Sequence, residues 1–217
     1  MDADHRSDCS MWDRRFSESV YAYGKEPNVW LKTQIETLSP EPNPNALFPA
    51  DGEGRNAVWA ASEGWKSTVF DLSDEGRKKC ATLAEENGVS VEYEVDDLVV
   101  RTFRESHYSL IACSWFHTPP AIRAKHMPRM LHALAPGGRF VMEGYHKTQL
   151  PLKSGGPKSL DLLFDLDEVL AELTGPQAPP MNVIHAAVEE TILDESDLHR
   201  GRAMVVRLHL TRSGGIE

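Results

Sequence analysis

The sequence predicts a doubly wound α/β fold with a sheet of seven strands, mostly parallel, that ends in an antiparallel C-terminal hairpin. Short strand-like runs alternate with helical stretches from Ala46 onward, which is the pattern of βαβ units. The run Tyr108–Cys113 is continuously apolar, as in a strand buried on both faces of a parallel sheet. The last two runs, 182–193 and 203–211, are separated by only a short polar loop, so they pair as a hairpin.

An N-terminal arm precedes this alternating region. Residues 9–37 read as largely helical, and the Pro/Asn-rich stretch 40–45 separates them from the first strand. We expect the arm to pack on the domain through four apolar side chains, Trp12, Phe16, Trp30 and Leu31. The sequence therefore divides into an arm or lid at 1–45 and a main domain at 46–217, in one compact unit.

The first half of the domain follows in regular order. Strands are predicted at 46–50, 67–71 and 90–95, and helices at 55–64 and 74–87. Asn87-Gly88 closes the second helix, since Gly and Asn tolerate the left-handed conformation that ends helices. Ser73 or Asp74 is better placed than Asp71 to cap its start.

The second half begins with the strand 108–113 and a helix at 120–135, in which Pro128 predicts a kink. The turn Pro136-Gly137-Gly138 then leads into a strand at 139–145. A helix at 160–173 precedes the C-terminal hairpin.

Composition limits the classes of function. The 217 residues carry a formal net charge of −10 and show no basic cluster, which argues against a nucleic-acid substrate. No apolar run is long enough for a membrane span, and the start of the sequence, 1–6, lacks a signal segment. Three scattered cysteines, Cys9, Cys80 and Cys113, suggest reduced thiols. We expect a cytoplasmic protein that acts on a small molecule.

The segment 46–71 carries the main functional signal. A strand enters a turn with Gly52 and Gly54, a helix leaves it, and the next strand ends on Asp71. Glycines let the backbone approach a ligand closely, the helix start attracts an anion, and a carboxylate at Asp71 can accept both hydroxyls of a ribose. This layout predicts a nucleoside-binding site. The bland alternative is a tight turn that binds nothing.

Two cofactors remain open at this point. Gly52, Gly54, Ala57 and Asp71 also fit a dinucleotide fingerprint, so an NAD-binding oxidoreductase is an alternative. A dinucleotide dehydrogenase would normally show a second half of parallel strands, whereas this sequence ends in a hairpin. S-adenosylmethionine is therefore favoured, and its positive charge suits an acidic protein.

Several strings together resemble the tellurite-resistance and thiopurine-methyltransferase-like group of class I S-adenosylmethionine-dependent methyltransferases, which have a Rossmann-like sheet. The resemblance covers nearly the whole chain. It is carried by the segments 12–16 (WDRRF), 23–28 (YGKEPN), 52–56 (GEGRN), 71–73 (DLS), 97–98 (DL), 116–120 (FHTPP), 134–138 (LAPGG) and 143–145 (EGY).

The resemblance implies S-adenosyl-L-methionine as the cofactor and a set of residues that bind it: Tyr23, Ala50, Asp51, Gly52, Gly54, Arg55, Asn56, Asp71, Leu72, Asp97, Leu98 and Cys113. Asp71 would hold the ribose, and Asp97, or its neighbour Asp96, the adenine amino group. Arg55 would meet the methionyl carboxylate or tether the arm. Two positions depart from the group, because Phe48 replaces an acid and Ala50 a glycine. The methionyl amine must then be held by backbone carbonyls or by Asp51.

The implied activity is methyl transfer to a small-molecule acceptor, such as a thiol or a chalcogen oxyanion like tellurite or selenite. A soft anion would need no general base, whereas a protic acceptor would. His117 and Tyr145 are the catalytic candidates, ranked above His199, and all three have ordinary structural alternatives. We expect no metal, because the histidines show no ligand spacing. A non-catalytic nucleoside-binding module is a further alternative, and the oligomeric state is open.

Overall fold

A computed structural model describes the backbone of residues 3–214 and the side chains from Ser10 onward. Met1, Asp2 and the side chain of Cys9, which entered the sequence-based expectations, lie outside the described residues. The strands are β1 (Asn45–Pro49), β2 (Lys66–Asp71), β3 (Glu92–Val95), β4 (Tyr108–Ser114), β5 (Leu134–Tyr145), β6 (Met181–Ser196) and β7 (His199–Arg212). The helices are α1 (Ala3–Phe16), α2 (Val29–Ile35), α3 (Arg55–Ser62), α4 (Asp74–Glu86), α5 (Pro120–Leu131) and α6 (Leu166–Thr174).

The strands form one sheet in the order β3-β2-β1-β4-β5-β7-β6. The first five strands are parallel, while β7 pairs antiparallel with both β5 and β6. This confirms the predicted seven-stranded fold with its closing hairpin. The strand order changes direction between β1 and β4, and the carboxyl ends of the strands flank the crevice where such sheets bind ligands.

The core lies in two layers, one on each face of the sheet. Side chains alternate along β1, so that Phe48 packs with α2 and α3 while Leu47 packs with the α5 and α6 side. Phe48 and Leu47 are both fully buried. The two layers fix the sheet rigidly, and with it the positions of the strand ends.

Local sequence explains where the helices begin and end. Ser73 caps α4 by accepting a hydrogen bond from the Gly76 amide, as the sequence predicts. Gly88, with φ of +66°, follows the end of α4 at Asn87. Asn28 caps α2 through a hydrogen bond from the Leu31 amide.

Some predicted boundaries were wrong. The predicted helix at 160–173 begins only at Leu166, where Asp165 caps it, and 160–162 form a single 3₁₀ turn. The arm is two helices with an irregular stretch between them, because the Tyr-Gly-Lys-Glu-Pro sequence there is turn chemistry. The predicted turn 136–138 lies within the span of β5, where Gly137 has φ of +79° and the pairing with β4 shifts register.

Among the described residues, no helix combines the length and the apolar character that a membrane crossing requires.

Candidate active site

The glycine turn between β1 and α3 has an unusual backbone. Ala50, Gly52 and Gly54 all have positive φ, at 51°, 55° and 84°. A Cβ at Gly54 would lie 2.2 Å from the sulfur of Cys80, and one at Gly52 would lie 2.8 Å from the ring of Phe16. The turn therefore needs glycine for both conformation and space. It is also covered, because Phe16 at the end of α1 rests directly on it.

Asp71 lies at the tip of β2, beside this turn, and is 8% exposed. Its Oδ2 accepts a hydrogen bond from the Gly52 amide at 2.9 Å, and its Oδ1 accepts one from the Ser73 amide at 3.0 Å. Each carboxylate oxygen can accept a second hydrogen bond. Burial raises the pKa of Asp71 to about 6, against the lowering effect of these backbone donors. An ionised Asp71 is thus oriented to accept two neighbouring hydroxyls.

Asp51 and Asn56 brace the turn from inside. Asp51 accepts hydrogen bonds from the side-chain nitrogen of Asn56 at 2.5 Å and from the backbone amide of Ala57 at 2.9 Å, so it holds the first turn of α3. Burial raises the pKa of Asp51 to about 6. The Asn56 oxygen accepts from the Asn28 backbone at 2.8 Å, which ties the arm to the turn. Both oxygens of Asp51 thus already accept hydrogen bonds from α3.

The strand end of β3 supplies the residues expected on the adenine side. Leu98 is buried, and Leu72 is partly exposed nearer the turn. Asp96 is paired with the guanidinium of Arg101 at 2.8 Å, whereas Asp97 accepts from the Val99 amide. Asp96 is thus held by an arginine, and the choice between Asp97 and Asp96 as the base-binding acid stays a prediction.

A buried ion-pair network lies across the carboxyl ends of β4 and β5 and the hairpin. Its centre is Asn28, whose side-chain nitrogen donates to Glu143 at 2.5 Å and to Glu195 at 2.8 Å. Arg55 pairs with Glu195 at 2.7 Å, and Arg207 pairs with Glu143 at 2.7 Å. Each buried carboxylate thus has its own arginine. We call these five residues the Glu143–Glu195 network.

Four aromatic rings pack against this network: Tyr23, Trp115, Tyr145 and His199. The His199 ring lies 4.7 Å from the ring of Tyr23, 4.8 Å from Trp115 and 5.7 Å from Tyr145. Trp115 has φ of +60°, which is strained for a bulky residue, and its indole nitrogen donates to Glu195 at 3.2 Å. Strain of this kind clusters at functional sites.

His117, Tyr145 and Cys113 do not occupy equivalent environments. The Nδ1 of His117 lies 2.7 Å from the Leu162 carbonyl, and its Nε2 accepts from the Tyr145 amide at 3.1 Å. Burial lowers the pKa of His117 to about 4, so the ring is neutral and both nitrogens are used by the main chain. Tyr145 donates its hydroxyl to the Ser154 carbonyl, and burial raises its pKa and that of the Cys113 thiol. The catalytic roles predicted for His117 and Tyr145 stay untested, and these contacts favour structural roles.

Sequence reasoning missed Glu195 and Arg207. Both lie in the hairpin, far along the chain from the glycine turn, and acids and arginines there are ordinary in sequence. One signal was present, because Glu195 precedes His199 by four residues across the hairpin loop. Among the described residues, no group of three or more His, Cys, Asp or Glu side chains could hold a metal ion.

Residues 49–138, somewhat less than half of the chain, match the family model of a methyltransferase domain. The match contains the glycine turn, Asp71 and Asp97. This stretch of the chain is therefore similar to a methyltransferase domain. No curated protein matches the chain.

Solved structures share the fold of this chain. One, from work on the conversion of a disulfide bond into a thioacetal group during echinomycin biosynthesis, has a TM-score of 0.74 at 13% identity and covers 98% of this chain and 93% of its own. Magnesium protoporphyrin IX methyltransferase from Synechocystis PCC 6803, with bound S-adenosylhomocysteine, has a TM-score of 0.67 at 12% identity, covering 97% and 100%. The [4+2]-cyclase SpnF has 0.67 at 13%, covering 97% of each. At these identities the likeness concerns the fold alone, and the cyclase shows that this fold also serves other chemistry.

The residues at the strand tips fit S-adenosylmethionine. Asp71 is a fixed acceptor for a diol, and the partly exposed Leu72 lies next to it in the chain. Phe48, where the group has an acid, is fully buried in the core and cannot reach a ligand.

Proposed function

We propose that this protein is an S-adenosylmethionine-dependent methyltransferase that transfers a methyl group to a small-molecule acceptor with a soft nucleophilic atom, either a thiol or a chalcogen oxyanion such as selenite or tellurite. The observation that supports the cofactor half is Asp71, buried at the tip of β2 and oriented by the Gly52 and Ser73 amides. The acceptor half is supported by the aromatic and charged residues that surround the tips of β4 and β5.

Each part of the cofactor site has a role in this proposal. Asp71 binds the ribose hydroxyls, and Asp97 with Leu98 binds the adenine. The backbone around Ala50 and Gly52 approaches the methionyl group, since Phe48 offers no carboxylate. When bound, S-adenosylmethionine supplies a methyl group activated by a sulfonium. Because the sulfonium is a good leaving group, alignment is the main task of the protein, and alignment can contribute about 7–11 kcal/mol.

The arm serves as the lid of this site in our proposal. Asp13 accepts a hydrogen bond from the Ser73 hydroxyl at 2.6 Å, the Ala22 amide donates to Glu53 at 2.8 Å, and Arg55 donates to the Tyr23 carbonyl at 2.9 Å. These partners all belong to the glycine turn or to the start of a helix beside it. Closure of the arm would exclude water from the reacting atoms.

A soft acceptor is also in keeping with one structural neighbour, whose reaction concerns a disulfide bond and a thioacetal group. We place the enzyme in the tellurite-resistance and thiopurine-methyltransferase-like group on its sequence strings. We also propose a cytoplasmic location, since Cys80 and Cys113 are unpaired thiols.

Isothermal titration with S-adenosylhomocysteine tests the cofactor half, with NADH as the competing ligand. We expect saturable binding of the first and none of the second. Transfer of radiolabelled methyl to a panel of thiols, selenite and tellurite then tests the acceptor half. Absence of S-adenosylhomocysteine binding at millimolar concentration would remove the proposal, whereas binding without transfer to any member would remove the acceptor class alone.

A further inference from the structure

His199 and Glu195 form a carboxylate–imidazole pair beside the strand tips. The Nδ1 of His199 lies 3.3 Å from Oε2 of Glu195, and both side chains are about 5% exposed. The Nε2 of His199 makes no hydrogen bond to any described residue. Since a carboxylate can only accept, Nδ1 carries the proton, and Nε2 keeps a free lone pair.

The carboxylate in this pair is held firmly. Besides His199, Glu195 accepts hydrogen bonds from Arg55, Asn28 and the indole of Trp115, which come from three other parts of the fold. Burial alone would raise the pKa of Glu195, but the hydrogen bond from His199 and the charge of Arg55 lower it to about 2. Glu195 is therefore ionised and can stabilise an imidazolium that forms next to it.

The imidazole itself is in the form that accepts a proton. Burial is the largest influence and lowers the pKa of His199, against the raising effect of Glu195. The other charged or titratable groups that face it are Arg55 and Arg15, which also lower its pKa, the neutral ring of His117, and the neutral hydroxyls of Tyr23 and Tyr145. His199 is thus neutral at pH 7 and has a fixed tautomer.

His117 provides the contrast within the same site. Its two ring nitrogens are both bound to the main chain, so it has no lone pair to offer. A buried histidine with one nitrogen on a carboxylate and the other free has the arrangement of a general base.

We infer that His199, oriented by Glu195, is the general base of the reaction and that the acceptor is a thiol bound in its protonated form. This inference rests on the proposed function. The acceptor sulfur forms a bond to the methyl carbon as the bond from that carbon to the sulfonium breaks. The electron pair of the broken bond stays on the departing sulfur, which becomes a neutral thioether. The thiol proton moves to Nε2 of His199, and the imidazolium later releases it to water.

The surroundings of His199 suit an apolar thiol. The rings of Tyr23, Trp115 and Tyr145 surround the imidazole and give the acceptor a largely aromatic wall. Tyr23 belongs to the arm, so the acceptor side and the cofactor side close together. An oxyanion would gain little here, because Arg55 and Arg207 are already paired with buried carboxylates.

The test compares two thiols with wild type and His199→Ala. Benzyl mercaptan is mostly protonated at pH 7, whereas 4-nitrothiophenol is ionised and needs no base. With saturating S-adenosylmethionine, we expect His199→Ala to lower kcat for benzyl mercaptan by about 10²–10⁴-fold, with little change for 4-nitrothiophenol. Added imidazole should restore part of the lost rate with benzyl mercaptan only. His132→Gln, at the opposite end of the sheet, is the matched control and should leave both rates unchanged.

A readout without turnover completes the test. Nitrogen NMR of the histidine rings, with the His199 signal identified by its loss in His199→Gln, should show a neutral ring with the proton on Nδ1 at pH 7. A charged ring at pH 8, or a proton on Nε2, overturns the inference. An equal loss of kcat for the two thiols in His199→Ala would also overturn the inference. So would a wild-type enzyme that methylates selenite but no protonated thiol. In each case S-adenosylhomocysteine binding would still stand, whereas its absence would defeat the proposed function itself.

Discussion

Replacement of Asp71 by Asn separates ligand binding from folding more cleanly than any other change at this site. The carboxylate has one accepting position left on each oxygen, and a ribose diol would fill both. A hydrogen bond to a charged group contributes about 1.5–3 kcal/mol, and Asn keeps only one acceptor. We therefore expect Asp71→Asn to weaken S-adenosylhomocysteine binding by about 2–4 kcal/mol, which is roughly 30-fold to 1,000-fold.

Stability should respond differently to the same change. Burial raises the pKa of Asp71 from 3.8 to about 6, so the folded state binds the proton more tightly than the unfolded state. Ionisation of Asp71 thus destabilises the fold as pH rises from about 4 to 6, by about 3 kcal/mol at pH 8. Asn lacks this cost, but its NH₂ group must face the amide of Gly52 or Ser73, at about 1–3 kcal/mol. The free energy of unfolding at pH 8 should therefore change by no more than about 2 kcal/mol.

Titration calorimetry and urea unfolding at pH 5 and pH 8 measure both effects. The affinity gap between wild type and variant should narrow at pH 5, because wild-type Asp71 is then largely protonated. Asp74→Asn is the control, since Asp74 is exposed on the first turn of α4 and pairs only with surface cations. A folded Asp71→Asn protein that binds S-adenosylhomocysteine within twofold of wild type at pH 8 would refute the ribose assignment.

Two further changes probe the cover of the site and its buried histidine. Gly52→Ala places a methyl group 2.8 Å from the Phe16 ring at a residue with φ of +55°, so we expect a loss of about 1–3 kcal/mol in the free energy of unfolding and weaker cofactor binding. The double variant Gly52→Ala/Phe16→Leu should recover cofactor binding if the Phe16 ring is the obstacle. If binding is not recovered, the defect belongs to the backbone. His117→Gln should flatten the pH dependence of Tm between pH 6.5 and 4. The pKa of His117 in the folded state, about 4, lies below its value in the unfolded state, so the wild-type protein loses stability as pH falls through that window. A wild-type Tm that stays constant between pH 6.5 and 4 would contradict a buried, neutral His117.

The extent of prediction from sequence differs between the two halves of the site. The glycine turn and Asp71 are signalled locally, since Gly52, Gly54 and Asp71 lie within one βαβ unit whose spacing is dictated by the turn itself. The antiparallel pairing of the last two strands also follows from a local pattern, because the hairpin loop is too short for a crossover. The 3₁₀ turn at 160–162 was missed, since an apolar run of that length does not distinguish one helical turn from a helix.

The residues proposed to surround the acceptor could not be predicted from local sequence patterns. Glu195 matters because Arg55, Asn28, Trp115 and His199 converge on it, and these residues are contributed by α3, the arm, the β4 tip and the hairpin. The spacing of these residues along the chain does not predict that they lie next to one another. The catalytic role of His117 stays a prediction. A histidine that follows a strand tip resembles a base in sequence, whereas the ring nitrogens of His117 contact the Leu162 carbonyl and the Tyr145 amide.

The residues that sequence could predict and those that it could not are separated by the limits of the family match. The matched segment 49–138 contains every residue predicted to bind the cofactor except Tyr23, whereas Asn28, Glu195 and His199 also lie outside it. A shared cofactor sets the same demands on every protein that binds it, which would explain why most of the predicted cofactor residues fall in one contiguous unit. Acceptors differ, and in our proposal the residues that meet them come from the arm and the hairpin. The Glu143–Glu195 network connects the arm and the hairpin to Arg55, which follows the glycine turn. Closure of the arm should therefore order the base, the acceptor walls and the glycine turn in a single step.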